Sequence, residues 1–311
     1  MPSATTHPPA PHPPAKHPSA ALAPARPVAD AALLADRAEF VRTEAIRLIE
    51  LAKVGHYSSV FSAAEIFAAL YYGVMRTDPA NPQWQGRDRF LMGKGHAAVG
   101  LFPVLSDLGF FPAEVLNGYT RLGSPLGDHP DMTKVPGIDF SSGSIGHALS
   151  NGLGMALGGR MNGDGFSVFV MLGDGEMQEG QVWEAALAGA HHRLGKLVAI
   201  VDRNGFQLDG EVDEVVGIEP LADKWRAFGW EVHEVDGHDA VAVRDLLLGL
   251  ADRPAEAAPS CVIAHTKKGK GVGYMETEPG WHLGYLVPAD AEAAVAEIRS
   301  AAASTGAGVR A

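Results

Sequence analysis

The chain has 311 residues, a formal net charge of −12 and one cysteine. Such an acidic balance argues against nucleic acid as a partner, because neutralising phosphates needs clustered Lys and Arg. A lone cysteine allows no internal disulfide, which suits a reducing cytoplasm, and no apolar run approaches the roughly 18 residues of a membrane span.

Residues 1–28 hold nine of the 21 prolines and three of the 13 histidines. A Pro/Ala-rich stretch buries too little surface to order itself, so a disordered tail is expected. It lacks the basic start and apolar run of a secretory signal. His7, His12 and His17 offer metal binding only as a minor alternative. The folded part is expected over 29–303, with 304–311 frayed. Leu34, Ala38, Val41, Ala45, Leu48 and Ala52 recur at steps of four and three, which predicts a first helix. "FSAAEIFAALYYGV" predicts a second, with Ser62 and Glu65 as a capping box. "TDPANPQWQGRDR" reads as a loop, and "FFPAEVLNGYTRL" as a helix with Pro112 near its first turn. "SSGSIGHALSNGLGMALGGR" reads as a glycine-rich loop entering a helix.

Beyond this point strands alternate with helices. Apolar runs at 166–172, 197–202, 230–235 and 260–265 predict strands. Helices are expected near 180–193, 219–228, 239–251 and 289–302. Strands apolar on both faces and separated by helices predict an α/β fold, a doubly wound, mostly parallel sheet with helices on both faces. Ligands should then bind at the carboxyl ends of the strands. Cys261 falls within the last run and is expected to be a buried apolar residue.

"LGDGEMQEGQVWEAA" starts where the 166–172 strand ends. Gly173 and Gly175 let backbone approach a ligand closely, and a helix N-terminus favours a diphosphate. Asp174 would repel that diphosphate unless a cation lay between them, a role that suits Mg²⁺. The plain alternative is a turn with a capping aspartate. Asn204 lies 30 residues further on, at the edge of the next strand, where it can converge with Asp174. The main-chain oxygen of Phe206 extends a hard, oxygen-only ligand set.

This pattern resembles the thiamine-diphosphate signature, and "GDGEMQEGQVWEAA" resembles the transketolase family more specifically. "GH" at 55–56, "RDRFLMGKGHA" at 87–97, "GDHPD" at 127–131, "GSIGHALSNGLGMA" at 143–156, "DGHD" at 236–239 and "WH" at 281–282 follow in the family's order. The resemblance implies a thiamine-diphosphate-binding fold, with Asp174, Asn204 and the Phe206 carbonyl on Mg²⁺ (Ca²⁺ or Mn²⁺ as substitutes). It implies Gly173 and Gly175 at the diphosphate, with His96 and His282 on its phosphates. Gly143 and Ile145 would lie at the aminopyrimidine. His56, His129 and His282 would serve the substrate's oxygens and move protons. Glu179 and Glu184 would join a carboxylate network across a subunit interface. His147 stands where transketolases often have another polar residue and could simply line the cofactor groove, and "HTKKGKG" at 265–271 remains open between closing over the diphosphate and a mobile surface loop. His191, His192, His233 and His265 have no motif support.

Transketolases usually follow the first histidine with Pro-Gly; here Tyr57, Ser58 and Ser59 follow His56. The family also draws an activating glutamate from a second, pyrimidine-binding domain. This chain ends at Ala311, soon after the diphosphate-binding part. The resemblance therefore implies the N-terminal subunit of a split transketolase that moves a two-carbon ketol unit from a ketose or its phosphate to an aldose. A separate C-terminal subunit would complete it as an α2β2 heterotetramer. Alternatives are a subunit of another thiamine-diphosphate enzyme, of 2-oxo acid dehydrogenase α or deoxyxylulose-phosphate synthase type, or a non-catalytic scaffold. A nicotinamide dehydrogenase fits poorly: "GLGMALGG" follows no predicted strand and has no acidic residue about 20 positions on.

Overall fold

A computed structural model describes residues 24–208 and 210–307; the predicted tail up to residue 23 and the last four residues lie outside them. Five parallel strands form the sheet: β1 Arg89–Met92, β2 Val168–Gly173, β3 Leu197–Arg203, β4 Glu231–Asp236 and β5 Ser260–His265, in the order β1-β2-β3-β5-β4. The helices are α1 Ala31–Ala52, α2 Tyr57–Phe61, α3 Ala64–Ala69, α4 Ala98–Asp107, α5 Ala148–Asn162, α6 Gly180–His191, α7 Val212–Val216, α8 Leu221–Ala227, α9 Ala240–Ala251, α10 Gly273–Thr277 and α11 Pro288–Ala307.

Strand periodicity divides the core into two layers. Phe169, Met171, Val198, Ile200 and Val262 pack with α1, α3, α4 and α9. Their neighbours Val170, Leu172, Ala199, Val201 and Ile263 pack with α5, α6 and α8. Burial of each large apolar side chain contributes about 1.5–3 kcal/mol. The central strands are therefore firmly held, and the segments that leave their ends start from fixed positions. The order reverses beyond β3, so α9 lies on the opposite face from α6 and α8, as right-handed crossovers require.

Local chemistry explains the starts of α1 and α9. Asp30 caps α1 by accepting from the Leu33 N–H at 2.8 Å, and Lys53 closes it in the left-handed conformation. Asp239 caps α9 through the Val241 and Ala242 amides.

Several expectations require correction. Strand β1 shows in the sequence only as part of a motif, because four residues are too few to display a period. Strand β4 is not apolar on both faces. It pairs only with β5, and its residues are exposed or half-buried, as an edge strand permits. Ser62 and Glu65 form no capping box. Ser62 donates to Asp202 at 2.7 Å, and Glu65 pairs with Arg42 at 2.6 Å, so buried long-range partners outcompete the local one. Residues 113–118 form a short 3-10 helix after Pro112 rather than an α-helix. Within the predicted tail, Arg26 already docks on buried Asp88 at 2.9 Å and on the Val74 carbonyl at 2.6 Å. Cys261 is fully buried, and burial pushes its thiol pKa well up.

Candidate active site at the carboxyl edge of the sheet

Strands β1, β2, β3 and β5 all end at one edge, where Gly173 pairs with Asp202 and Arg203 with His265. Asp174 follows directly and is 1% exposed. Its carboxylate accepts from the Gly205 N–H at 2.6 Å and the Gly175 N–H at 2.9 Å, and Arg203 lies 3.8 Å away. The GDG turn and the Asn204–Phe206 turn are thus in direct contact. Asn204 donates to Asp202 at 3.3 Å and accepts from the Phe206 N–H at 3.1 Å. Burial, and then the Asp202 carboxylate, raise the Asp174 pKa to about 6 against the opposing effect of the two N–H donors. A cation at this carboxylate would reverse that penalty. Among the described residues no cluster of three or more His, Cys, Asp or Glu could hold a metal alone. An ion held by Asp174, Asn204 and the Phe206 carbonyl therefore needs further oxygens from a ligand, and this donor set fits a metal–diphosphate pair.

Behind this cradle lies an ion pair that sequence reasoning did not single out. Lys94, 3% exposed, and Asp202, fully buried, bind each other directly. Lys94 also donates to the Ser59 carbonyl at 2.7 Å, and Ser62 and Thr266 donate to Asp202. Burial alone would raise the Asp202 pKa; Lys94 and the hydrogen bonds outweigh it and hold the carboxyl below its usual range. Lys94 was visible within "RDRFLMGKGHA", but nothing local marked its partner. Lys268 is also buried. It donates to the Leu208 carbonyl at 2.7 Å and sits 5.5 Å from the centre of the Phe206 ring, so the 265–271 loop is packed against the candidate metal turn.

The structure brings His56, His96 and His282 together, with ring centres 5.0–5.2 Å apart. Ser59 links this trio to the cradle: its hydroxyl lies 3.1 Å from His96 Nε2 and its carbonyl takes Lys94. Burial lowers the His96 pKa well below its ordinary value, helped by neighbouring His56, Lys94, His282 and His129. His96 is therefore a neutral imidazole near pH 7. His56 Nδ1 is buried without a hydrogen-bond partner, 3.5 Å from Asp128. His129 lies on the other side of Asp128, also at 3.5 Å, and is more exposed.

Gly143 and Ile145 lie on the loop before α5, and Gly143 adopts φ +94°. A Cβ there would stand 2.3 Å from the His129 ring. Gly143→Ala should therefore displace His129 and cost about 1–3 kcal/mol of stability, read by denaturant unfolding. Unchanged stability would show that the loop yields freely. The loop is tied down by Glu176, 2% exposed, which accepts from the Gly146 N–H at 2.7 Å and the Gly173 N–H at 3.1 Å. Burial raises its pKa to about 7. Glu176 stood inside the quoted motif, but its spacing gave no sign of this role.

Glu179 packs against Gly146 of the loop before α5, whereas Glu184 and His147 point to the surface. Glu179 and Glu184 are exposed on and beside α6. His147 is exposed and bonds Gln181 of α6 at 2.6 Å, so the groove-lining expectation finds no support in its contacts. His233 and His265 pair with Glu231 and Glu234 on and near the edge strand.

Comparison with known proteins matches residues 35–301 to "Transketolase, thiamine diphosphate binding domain". An apulose-4-phosphate transketolase subunit of Phocaeicola vulgatus is 39% identical over 83% of this chain and 90% of its own length. The 6-deoxy-6-sulfo-D-fructose transketolase subunit SqwG of Clostridium sp. (strain MSTE9) is 39% identical over 85% of this chain and 96% of its own. Transketolase from Leishmania mexicana superposes with a TM-score of 0.78 at 25% identity, over 87% of this chain and only 41% of that one. The chain thus spans about two fifths of that full-length enzyme and nearly all of the subunits. The family match over most of the chain, with the Asp174 turn and the histidine trio at one sheet edge, makes this chain a member of the transketolase family.

Proposed function

We propose that this chain is the diphosphate-binding subunit of a two-component, thiamine-diphosphate-dependent transketolase. The observation that carries this reading is the contact between the Asp174 carboxylate and the Gly205 amide at 2.6 Å. It brings the Asp174 turn against the Asn204–Phe206 turn, which supports a shared cradle of one acid, one amide side chain and one carbonyl. The near-complete coverage of two subunit-type relatives supports the split arrangement.

Asp174, Asn204 and the Phe206 carbonyl would hold Mg²⁺, for which Ca²⁺ or Mn²⁺ could substitute, as hard oxygen donors suit all three. Gly173 and the Gly175 N–H would face the diphosphate. Neutral His96 would meet phosphate as a hydrogen-bond donor, with His282 beside it. Gly143 and Ile145 would border the aminopyrimidine, on a loop that Glu176 holds in register with the strand end. When bound, thiamine diphosphate supplies the reactive carbon that takes up and releases a two-carbon ketol unit. His56, His129 and His282 would bind the sugar's hydroxyl and carbonyl oxygens and hold or return their protons. Asp128 lies 3.5 Å from the Nδ1 atoms of both His56 and His129 and would steer either ring once a sugar is bound.

A separate subunit would supply the pyrimidine-binding domain and the activating glutamate, in an α2β2 heterotetramer in the cytoplasm. The exposed carboxylates of Glu179 and Glu184 would join a network across the subunit interface. The donor would be a ketose or its phosphate, and the acceptor an aldose. The lone chain, supplied with thiamine diphosphate and Mg²⁺, should give no ketol transfer in a mass-spectrometric assay of the product sugars. Addition of its co-purifying partner should give turnover, with light scattering reporting two copies of each chain. Full activity from the lone chain would refute the split reading.

A further inference from the structure

Tyr57 and Ser58, which stand where the family usually has Pro-Gly after the first histidine, lie beside a distant segment. Residues 281–286, which carry His282, cross the end of α1 and the start of α2. Gly284 donates to the Gly55 carbonyl at 3.0 Å, and the Ser58 hydroxyl donates to the Trp281 carbonyl at 2.9 Å. The Leu286 N–H meets Glu50 Oε1 at 2.6 Å and the Tyr57 hydroxyl at 2.9 Å. That hydroxyl donates to the same Glu50 oxygen at 2.5 Å. Tyr57 is fully buried, and burial together with Glu50 keeps its phenol protonated. The other Glu50 oxygen takes Lys53 at 3.4 Å, and Lys53 also lies over the Tyr285 ring.

A single segment, Gly55–Ser58, thus carries His56 and grips the strap that carries His282. Pro-Gly at 57–58 could supply neither side-chain hydroxyl. We propose that Glu50 and Tyr57 are positioning residues: they clasp the 281–286 strap and hold His282 against His56 and His96. This deepens the ketol-transfer reading and rests on it for the role of His282. The clasp itself rests only on the contacts above. It assigns a purpose to the departure from Pro-Gly: strap attachment by side-chain hydrogen bonds from residues that neighbour the first histidine.

Amide hydrogen exchange on the full chain tests the clasp, and kinetics of the assembled complex test its role. Tyr57→Phe keeps the buried ring, and Glu50→Ala removes the shared acceptor. Each should speed exchange of the 283–286 amides about five- to tenfold, with β2 and β3 unchanged. Glu50→Gln, which keeps an acceptor oxygen, should restore most of the protection. In the complex, Tyr57→Phe and Glu50→Ala should lower kcat by about tenfold, a larger change than in the donor KM or the thiamine diphosphate affinity. Unchanged strap exchange in both variants would overturn the clasp, and a loosened strap with unchanged kcat would overturn the positioning role. A wild-type complex without ketol transfer would instead defeat the proposed function and leave the exchange result standing. Should Glu50→Ala not fold, Tyr57→Phe decides the matter by the same readouts.

Discussion

Asp174→Asn should abolish metal-dependent binding of thiamine diphosphate in the assembled complex while the subunit stays folded. The replacement has nearly the same shape, and its side-chain oxygen can still accept from the Gly205 amide. It loses the charge that would draw a divalent cation to this turn. Removing one charged partner from a desolvated site typically costs about 2–5 kcal/mol, or at least about thirtyfold in affinity. Apo-protein stability should hold or rise slightly, because burial and the Asp202 carboxylate already disfavour the ionised Asp174. Titration calorimetry with thiamine diphosphate, with and without Mg²⁺, reads the first effect and thermal unfolding the second. Wild-type affinity in the variant would remove Asp174 from the metal set. A large loss of stability would mean that the carboxylate serves the fold.

The second prediction has the opposite character. Asp202→Ala should destabilise the subunit by about 3–5 kcal/mol, because it strands the Lys94 ammonium in a buried site without its counter-charge. The Ser62 and Thr266 hydroxyls lose their acceptor as well. The pH dependence follows from the direction of the pKa shift. The folded Asp202 carboxyl is held below its unfolded value, so its contribution is complete above the unfolded pKa and is lost as pH falls through the folded one. Denaturant unfolding of wild type and variant at neutral and acid pH checks both points. The gap between them should be widest near neutrality and should narrow in acid. A difference under about 1 kcal/mol at pH 7 would mean that solvent or relaxation rehydrates Lys94.

These two acids show where the sequence is readable. Asp174 was legible because glycines interrupt an apolar run at that point, and a lone charge at a strand end needs a partner. Asn204 was legible at the same position on the next strand. Asp202 stands two residues before Asn204, within the same run, yet gave no sign of its ion pair. Lys94 is 108 residues away, and no local pattern specifies a bond at such a separation. Ser62 failed in the same way. Its spacing to Glu65 matches a helix start, but Asp202 and Arg42 offer the two side chains stronger buried partners.

The strands follow the same logic. β2, β3 and β5 were readable because both of their faces are covered, so their central residues are apolar. β4 has one neighbouring strand and partial cover, so its glutamates and histidine are tolerated. β1 is too short for a period to emerge, and its strand character comes from pairing with β2. Alternating strands and helices, the glycine-bracketed acid and the ordered histidine motifs thus determined the fold class and family, since each depends on spacing along the chain. Only the tertiary structure decided which histidines meet, that Glu176 ties two loops together, and that Glu50 and Tyr57 grip the His282 strap. Those outcomes depend on which distant groups desolvate together, and burial sets the strength of a hydrogen bond or a charge.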